Sequence, residues 1–520
     1  MGTLTQCKIS NSYIHRLQSH YHNIDNRGIC VDAEKLKEAG RFIDQEIKRN
    51  LSIATSQWGC NVYVGADNAL AEGQPGSENQ VNINSTSGEK ALLKKLQEIG
   101  YIVPKIAKKN DEGEYEAKYS TGELALQKML VTNQFGFSGG DPAIRSILAI
   151  RELGKLKSSY LNCRYYRDRD GNLLYLTNYN AAGPITGRRS SKKHTFGYGN
   201  NAQNFPKHGK LAKIFRRCLI SRPGCIFLMV DQKGAEEWPV NALAENTQAL
   251  DEMRSGVNRH IRRAARIFNI QEGSRSEREW KDSIEYYLGK KTGHANNYGM
   301  KAQRMSDPLV QEGLGSIYSH VAIEPKACKT LLDKLNSLEP SIQGVFHKYV
   351  KEKINKDRML VTPFGRERVF LGLRPNDSNY KLFNEAFSYI PQSVVGDNNG
   401  FAVSYLESSL PTQDRAIVQE CHDSIVQDIR SDAKTIWSYL QHTTRAYERV
   451  IRFANGIEIN IPVEAELGYN FRDTVKIKDF SYEAVVKALA VCNAMRDQEL
   501  DEKRQQQERQ QILDTVNSLS

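Results

Sequence analysis

Residues 225–236 read Cys-Ile-Phe-Leu-Met-Val-Asp-Gln-Lys-Gly-Ala-Glu. The continuous apolar run over residues 226–230 predicts a buried β-strand. The run ends at Asp231, and the polar, glycine-containing residues that follow are typical of a turn. We therefore predict a core strand that holds one carboxylate rigidly at the end of a sheet, where a substrate can reach it.

A second acidic turn lies further along the chain. Apolar residues flank the polar sequence Cys-His-Asp-Ser at 421–424, which predicts a pair of strands over about 417–429 with His422 and Asp423 at their turn. Taken alone, Asp231 or Asp423 is more often an ordinary surface or turn residue. Together, two carboxylates at strand ends match the hard oxygen ligands of Mg²⁺, and two such ions can clamp the attacking and leaving oxygens of a phosphoryl transfer.

The third candidate element is a helix predicted from Glu277 to Tyr298. Tyr286, Lys290 and His294 recur with Tyr298 every four residues, which places them on one face. A lysine between aromatic rings suits a nucleoside triphosphate, because the ammonium meets phosphate while the rings meet base and sugar. The alternative is an amphipathic core helix whose lysine extends its charged end to solvent.

The surrounding sequence is helical towards both ends and mixed in the middle. The sequence Asp-Gly-Asn at 170–172 predicts a hairpin turn, and residues 64–80 predict a loop. Helices are predicted from apolar spacing over 12–60, 88–99, 141–162, 245–355 and 482–520. The predicted fold class is therefore α+β, a small sheet inserted between helical lobes.

Composition adds a weak preference for a polyanionic partner. The 520 residues include 72 Lys and Arg against 61 Asp and Glu, for a formal net charge of +11, and such an excess favours nucleic acid through counterion release. No two of the nine cysteines form a CxxC pair, so neither a zinc ribbon nor a disulfide framework is predicted. Without a signal region or a long apolar run, we expect a soluble, cytoplasmic protein that does not contact membranes.

These segments, with several others in the same order, resemble the family A DNA polymerases of the bacterial polymerase I type, in the shorter form common in bacteriophages. The resemblance covers residues 27–472. Its motifs are TGRRSS at 186–191 with QNFP at 203–206, VDQKGAE at 230–236, KKTGHANNYG at 290–299, TPFGRER at 362–368, PQS at 391–393, CHD at 421–423 and VEAELGYNF at 463–471.

The resemblance implies a polymerase right hand, with a palm built on an antiparallel sheet, helical fingers and a helical thumb. It also implies domain boundaries: an N-terminal segment at 1–29, a thumb at 30–165, a palm at 166–244 and 361–480, fingers at 245–360, and a charged helical tail at 481–520. The tail is either a partner-binding helix or a solvated one.

Roles in catalysis follow from the resemblance, position by position. It implies that Asp231 and Asp423 bind two Mg²⁺ ions, helped by the backbone carbonyl of Gln232. It further implies that Glu236 excludes a ribose 2′-hydroxyl, and that Lys290 takes part in catalysis at the incoming triphosphate.

The resemblance also implies nucleotide and DNA contacts. His260 joins Lys290 at the triphosphate, while His294 and Tyr298 frame the nucleotide, Tyr298 near the template base. The implied DNA-binding residues, which hold the primer terminus or the minor groove, are Arg188, Gln203, Asn204, Gln392 and His422.

Departures from the family pattern concern substrate discrimination more than catalysis. Where the family usually has an arginine four residues before the helix lysine, this chain has Tyr286, and Ser424 stands where many relatives have glutamate. His294 replaces the usual phenylalanine or tyrosine. The missing charge is supplied by neighbouring cations, or those cations form a solvated face; they are Arg262, Arg263, Arg266 and Lys291.

The function implied is a template-directed DNA polymerase that extends a primer 3′ end, with primer–template DNA and dNTPs as partners, in phage DNA replication. A single-subunit RNA polymerase-like nucleotidyltransferase shares the paired aspartates and the helix lysine, but Glu236 would block the 2′-hydroxyl it must admit. A non-catalytic DNA-binding relative is the third interpretation, disfavoured because both aspartates and Lys290 are present.

We also expect no intrinsic 3′–5′ exonuclease, because the polymerase-like sequence begins near residue 28 and a domain usually needs at least ~50 residues. Proofreading would then come from a separate exonuclease. In an infected host, a replication helicase or primase would be a further partner.

Overall fold

The structure is a computed structural model that describes residues 9–65, 70, 74, 79–83, 86–109, 115–138, 140–206, 209–313, 324–373 and 379–519. Its helices are α1 (Asn11–Arg27), α2 (Ala33–Trp58), α3 (Thr86–Ile99), α4 (Glu123–Thr132), α5 (Pro142–Leu156), α6 (Gly209–Cys218), α7 (Glu237–Leu243), α8 (Thr247–Arg254), α9 (Arg259–Phe268), α10 (Glu277–Lys281), α11 (Ile284–Asn297), α12 (Ala302–Gly313), α13 (Pro325–Leu338), α14 (Lys348–Asp357), α15 (Tyr380–Ser409), α16 (Ala433–Tyr447) and α17 (Tyr482–Leu519).

Short strands are interspersed among these helices, and most pair in antiparallel fashion. They are β1 (Ile29–Val31), β2 (Asn61–Tyr63), β3 (Gln80–Asn82), β4 (Lys105–Lys109), β5 (Tyr115–Tyr119), β6 (Tyr166–Arg167), β7 (Leu173–Tyr175), β8 (Asn178–Asn180), β9 (Ser190–Lys192), β10 (Leu219–Ile220), β11 (Cys225–Gln232), β12 (Met359–Val361), β13 (Glu367–Val369), β14 (Ile417–Cys421), β15 (Ser424–Arg430), β16 (Ile451–Arg452), β17 (Glu458–Ile459), β18 (Val463–Gly468) and β19 (Val475–Ile477).

The chain divides into two compact units. The sheet unit comprises Met1–Leu36, Cys163–Leu250 and Val345–Ser520, and the helical unit comprises Lys37–Asn162 and Asp251–Gly344. The α+β fold class is confirmed. The assignment of individual segments to thumb, palm and fingers stays a prediction.

The sheet unit is built on a five-stranded antiparallel sheet in the order β14-β15-β11-β18-β19. Strand β11 lies in the middle, and residues 226–228 and 230 are buried. Its apolar run is continuous because α16 packs on β11 as well as on its neighbours β15 and β18. The predicted core strand is therefore confirmed, as is the hairpin that joins β14 to β15 through His422 and Asp423.

A second, four-stranded sheet corrects the helix predicted over residues 12–60. That segment is two helices separated by β1, which pairs with β7 on one side and β10 on the other. Gly28 ends α1 with φ of +63°, and a Cβ there would lie 2.4 Å from Leu176 Cδ2. A three-residue strand is too short to interrupt a helical spacing pattern, so the sequence did not reveal it.

Two of the apolar clusters in the described part of the helical unit each join four helices. One joins α2, α3, α4 and α5 around residues such as Trp58 and Leu126, and the other joins α9, α11, α12 and α13 around Leu288 and Leu332. The helix predicted over 277–298 is in fact two, because α10 ends at Lys281. Helix α11 then restarts on Ser283, whose hydroxyl accepts a hydrogen bond from the Tyr286 amide at 3.2 Å.

Two other predictions meet the structure only in part. Most of the loop predicted over 64–80 lies outside the described residues, and β3 begins at Gln80. The helical region predicted over 245–355 consists of α8 to α14, with residues 314–323 outside the described part. Within the described residues, no helix combines the length and apolar character needed to cross a bilayer.

Candidate active site

The two predicted carboxylates lie on hydrogen-bonded main chains of the sheet unit. Asp231 is exposed near the end of β11, and its Cα pairs with that of Ser424 on β15. Asp423 immediately precedes Ser424, in the turn between β14 and β15. The amide of Gln232 donates to the carbonyl of Asp423 at 3.0 Å, so the backbone fixes one aspartate beside the other.

The turn that carries Asp423 has an unusual backbone. His422 has φ of +60°, a left-handed conformation that costs a non-glycine residue about 1 kcal/mol or more. The Asp423 amide donates to the Cys421 carbonyl at 2.7 Å, and the Ser424 hydroxyl donates to the same oxygen at 3.0 Å. Both bonds stabilise the turn in a conformation that histidine alone would disfavour.

Gln232 attaches this part of the sheet to helix α15. Its side chain is buried, and its Oε1 accepts a hydrogen bond from the Asn398 amide at 2.7 Å. Its Nε2 donates to the Val395 carbonyl at 3.3 Å. The end of β11 is therefore held by side-chain bonds to α15 in addition to its strand partners.

The donor set fits a divalent cation such as Mg²⁺. Asp231 and Asp423 offer carboxylate oxygens, the hard ligands that Mg²⁺ prefers, and Mg²⁺ commonly takes one or two protein carboxylates and completes its shell with water and substrate phosphate. In the described part of the chain, no group of three or more His, Cys, Asp or Glu side chains is arranged to hold a metal ion. Two carboxylates are a donor set that suits an ion which also binds substrate phosphate.

A further carboxylate lies opposite Asp231 on the other neighbouring strand. Glu464 of β18 is the Cα partner of Asp231, and it forms ion pairs with Lys476 at 2.9 Å and Lys233 at 3.7 Å. Asp231 and Glu464 both border a cavity of about 260 Å³, which Arg216 and Phe471 also line. The two lysines balance the negative charge of Glu464.

Sequence reasoning missed a buried acid behind the turn. Glu420 on β14 is fully buried, where its Oε1 accepts from the Asn399 amide at 2.7 Å and its Oε2 from the Gln203 amide at 3.3 Å. Burial raises the pKa of Glu420 to about 7, against the opposing influence of the Arg189 guanidinium. The available signal was a charged residue inside an apolar strand.

Arg188 and Glu236 form an ion pair through the arginine Nη2 and the glutamate Oε1. The Arg188 backbone packs closely on α15, since a Cβ added at Gly396 would lie 3.2 Å from the Arg188 nitrogen. The next residue, Arg189, is buried and donates to the carbonyls of Gly187 and Gly396, the latter at 2.9 Å. Arg188 therefore extends from a rigid backbone towards a glutamate in the turn before α7.

The remaining predicted DNA contacts differ in exposure. Asn204 is exposed, whereas Gln392 on α15 and His422 in the turn are half-buried. Gln203 is buried, and the hydrogen bond that its side-chain amide donates to Glu420 places it in the interior of the sheet unit. DNA contact by each of these residues stays a prediction.

Four of the predicted nucleotide-contacting residues, His260, Lys290, His294 and Tyr298, belong to the helical unit, whereas Gln232 and Glu236 belong to the sheet unit. On α11, Lys290 is exposed and His294 half-buried, and Tyr298 is the half-buried residue that ends the helix. The His260 ring, on α9, lies 6.0 Å from the His294 ring and 6.0 Å from the Tyr286 ring, measured between centroids. The four-residue spacing thus produces a line of side chains that a second helix extends.

Two glycines allow α9 and α11 to approach closely enough for this arrangement. A Cβ at Gly289 would lie 3.0 Å from the Cα of Ala264, and a Cβ at Gly293 would lie 2.7 Å from Nη1 of Arg263. Their four-residue spacing puts both on the face of α11 that contacts α9. Close helix packing therefore depends on the absence of side chains here.

The cations considered as replacements for the family's arginine are engaged in other contacts. Arg263 is buried and pairs with Glu339 at 2.9 Å, and Arg262 contacts both Glu252 and Glu272, the latter at 3.0 Å. Arg266 lies 3.7 Å from Glu252, and the Lys291 ammonium lies 5.8 Å from the Tyr287 ring centre. The three arginines form a partly buried ion-pair network inside the helical unit. They are therefore not a simple solvated face.

Comparison with known proteins identifies a matching family and several relatives. Residues 69–473 match the family described as DNA polymerase family A. The chain is 24% identical to the thermostable DNA polymerase I of Thermus filiformis over 369 residues, 70% of this chain and 39% of that protein. It is also 24% identical to the enzyme of the same name from Thermus aquaticus over 396 residues, 74% of this chain and 41% of that protein.

A solved structure shares the fold. The POL domain of Pol1 from M. smegmatis, in complex with DNA primer-template and dNTP, aligns with a TM-score of 0.65 at 18% sequence identity, over 88% of this chain and 70% of that chain. The chain spans about two fifths of the length of the curated Thermus relatives it matches.

Proposed function

This chain belongs to DNA polymerase family A, and from that membership we propose that it is a template-directed DNA polymerase that adds deoxynucleotides to a primer 3′ end. The observation that carries the proposal is the strand register that sets Asp231 beside the turn holding Asp423, with the Gln232 amide bonded to the Asp423 carbonyl. Two carboxylates fixed in this way suit phosphoryl transfer with divalent cations. Primer–template DNA and dNTPs are the proposed partners, and the solved relative is in complex with both.

In the proposed reaction, the oxygen of the primer 3′-hydroxyl forms a bond to the α-phosphorus of the triphosphate, and the hydroxyl proton passes to water. The bond between the α-phosphorus and the oxygen of the β-phosphate breaks, so that pyrophosphate leaves. Bound Mg²⁺, two ions in our proposal, supplies positive charge to the attacking and leaving oxygens. Asp231 and Asp423 hold that charge in place, and their fixed backbones limit reorganisation as negative charge develops. We assign the Lys290 ammonium to the triphosphate, with His260, His294 and the nearby Tyr298 around the nucleotide.

Sugar selection is assigned to Glu236. A carboxylate held beside the deoxyribose would meet a ribose 2′-hydroxyl, and excluding that group requires the carboxylate to keep its position. The ion pair with Arg188 supports such a role, because it fixes the glutamate side chain from a rigid backbone.

The decisive test is extension of an end-labelled primer on a defined template, with Mg²⁺ or with a chelator, and with dNTPs or NTPs. We expect extension that needs both Mg²⁺ and dNTPs. Protein carrying Asp423→Asn, purified in parallel, controls for a contaminating polymerase. Equal use of NTPs would favour an RNA polymerase-like enzyme, and DNA binding without any extension would favour a non-catalytic relative.

Finer parts of the proposal have tests of their own. A role in phage DNA replication, in the host cytoplasm and with a separate exonuclease, helicase or primase, is tested by recovering partners with the tagged protein from infected cells. The predicted lack of 3′–5′ exonuclease is tested with a mismatched, end-labelled primer, Mg²⁺ and no dNTPs. Shortening that copurifies with the protein and survives Asp231→Asn would contradict it.

A further inference from the structure

A line of aromatic rings in the sheet unit reaches the surface at both of its ends. The Tyr166 and Tyr198 rings are 5.4 Å apart between centroids, Tyr198 and His194 are 6.5 Å apart, and His194 and Phe196 are 5.5 Å apart. Phe196, at one end, is 72% exposed, and Tyr166, at the other, is 38% exposed. The line therefore offers solvent-facing rings at both ends and is continuous between them.

The loop that presents Phe196 is firmly held. The His194 amide donates to the Tyr198 carbonyl at 3.0 Å, and the Gly197 amide donates to the His194 carbonyl at 2.8 Å, so residues 194–198 close on themselves. The Thr195 amide and hydroxyl both donate to the Asn178 side chain, at 2.5 and 2.6 Å. Because the loop is fixed in this way, the exposure of Phe196 is built into the fold.

Gly199 ties the far side of the same loop. Its amide donates to the Arg164 carbonyl at 2.7 Å. It has φ of +52°, and a Cβ there would lie 1.8 Å from the Leu176 carbonyl oxygen. His194 is buried, and burial lowers its pKa, so near pH 7 its ring is a neutral spacer within the line.

Cations surround these rings. The Arg164 guanidinium lies 4.5 Å from the centre of the Tyr198 ring. Lys192 and Lys193, directly before the loop, are exposed, and in the part of the chain that the structure describes neither lysine forms an ion pair with a carboxylate. Exposed rings beside unneutralised lysines are the combination by which proteins bind single-stranded nucleic acid, with bases stacking on rings and cations meeting the backbone.

We propose that Phe196, Tyr198 and Tyr166, with Lys192 and Lys193, form a binding site for single-stranded DNA. An unpaired base stacks on Phe196, and the lysines neutralise neighbouring phosphates. Duplex DNA fits this site less well, because its base faces are covered by their stacked neighbours and only its phosphates are available to the lysines. The site goes beyond nucleotide addition, since it would bind a strand whose bases are unpaired.

The test measures the anisotropy of labelled oligothymidylate and of a labelled blunt duplex, without Mg²⁺ or dNTPs, so that its outcome does not depend on polymerase activity. Phe196→Ala and Phe196→Leu should each weaken oligothymidylate binding at least about fivefold, with duplex affinity within about twofold of wild type. Replacing both lysines by alanine should reduce the slope of log affinity against log salt by about 1.4, for two phosphates on a single strand.

Tyr482→Leu is the matched control, because Tyr482 is also an exposed ring, at 49%, while the nearby Lys487 pairs with Glu483 at 2.7 Å. It should leave both affinities unchanged, and thermal unfolding should confirm that every variant is folded. Wild-type affinity in Phe196→Leu would overturn stacking as the mode of binding. Equal losses on single strand and duplex, or no loss in any variant, would overturn the site itself.

Discussion

The carboxylate site of the sheet unit and the α11 face of the helical unit are built by different means. Asp231 and Asp423 are placed by main-chain hydrogen bonds and strand register, and Gln232 adds side-chain bonds to α15. Lys290 and His294 are placed by helical spacing and by the packing of one helix on another. Strand register does not depend on the neighbouring side chains, so these can change without moving the site. No other group in the register can replace the two carboxylates themselves.

Departures from the family pattern occur in both regions, since Ser424, which pairs with Asp231 in the sheet, is one of them. Tyr286 and His294 both lie on the helix face, where a changed side chain alters one contact and leaves the helix intact. The two aspartates match the pattern. We infer that the sheet site is the more sensitive to conservative substitution.

Asp231→Asn and Asp423→Asn should each lower the rate of nucleotide addition by at least about 10³-fold, because an amide cannot replace the charge that holds Mg²⁺. Primer–template affinity should stay within a few-fold, since it depends on basic side chains. Single-turnover extension and anisotropy measure the two effects. Glu464→Gln, on the strand opposite Asp231, is the matched control and should be close to wild type. Substantial activity in either aspartate variant would remove that residue from the metal site.

Lys290→Ala should lower kcat/KM by a factor that corresponds to about 2–4 kcal/mol of lost transition-state stabilisation. This loss is comparable with that of one preorganised hydrogen-bond donor. Lys291→Ala is the matched control on the same helix, and because that ammonium lies near the Tyr287 ring, we expect a loss below about 1 kcal/mol. Steady-state kinetics over a range of dNTP concentrations gives both values. A larger effect at Lys291 would reverse the two roles.

Glu420→Gln tests how firmly the interior supports the turn. The folded-state pKa of about 7 lies above the ordinary glutamate value of 4.5, so the free energy of unfolding falls as pH rises between these values and is constant above them. Glu420→Gln lacks this titrating group. The free energy of unfolding of the variant minus that of wild type should therefore increase by about 2–3 kcal/mol between pH 4.5 and 8. Urea unfolding across that range measures the difference. A difference that does not change with pH would mean that Glu420 ionises normally in the folded protein.

Glu236→Ala should raise ribonucleotide use relative to deoxyribonucleotide by about tenfold, or about 1.4 kcal/mol. If Arg188 acts by holding Glu236, Arg188→Ala should relax sugar selection in the same direction, and the double variant should show less than the sum of the two effects. Competition between dNTP and NTP on one primer–template measures all three. Strict additivity would mean that the ion pair has no part in sugar selection.

The sequence predicted features that depend on local pattern. The apolar run at 226–230 and the polar residues between strands at 421–424 correctly gave β11, the hairpin and its turn, because burial on both faces leaves a direct signature. Four-residue spacing likewise placed Lys290 and His294 together on α11.

What the sequence missed depends on which distant residues meet. The sequence near Glu420 does not indicate that Asn399 and Gln203 are its hydrogen-bond partners. Likewise, the sequence near Arg188 does not indicate that it pairs with Glu236. The restart of α11 at Ser283 was missed because a cap in the middle of a helical pattern leaves the spacing almost unchanged. Partner identity is a property of the tertiary fold, whereas periodicity records only which face is buried.

Gly289 and Gly293 limit both the motion of the helical unit and the substitutions that it can accept. Because α9 and α11 touch almost backbone to backbone there, neither can slide without the other, and amide protons along the seam should exchange with solvent through one shared opening event. Any larger residue at Gly289 would push α9 away and separate His260 from His294. Substitutions at Gly289 and Gly293 are therefore tolerated only if α9 changes its position as well.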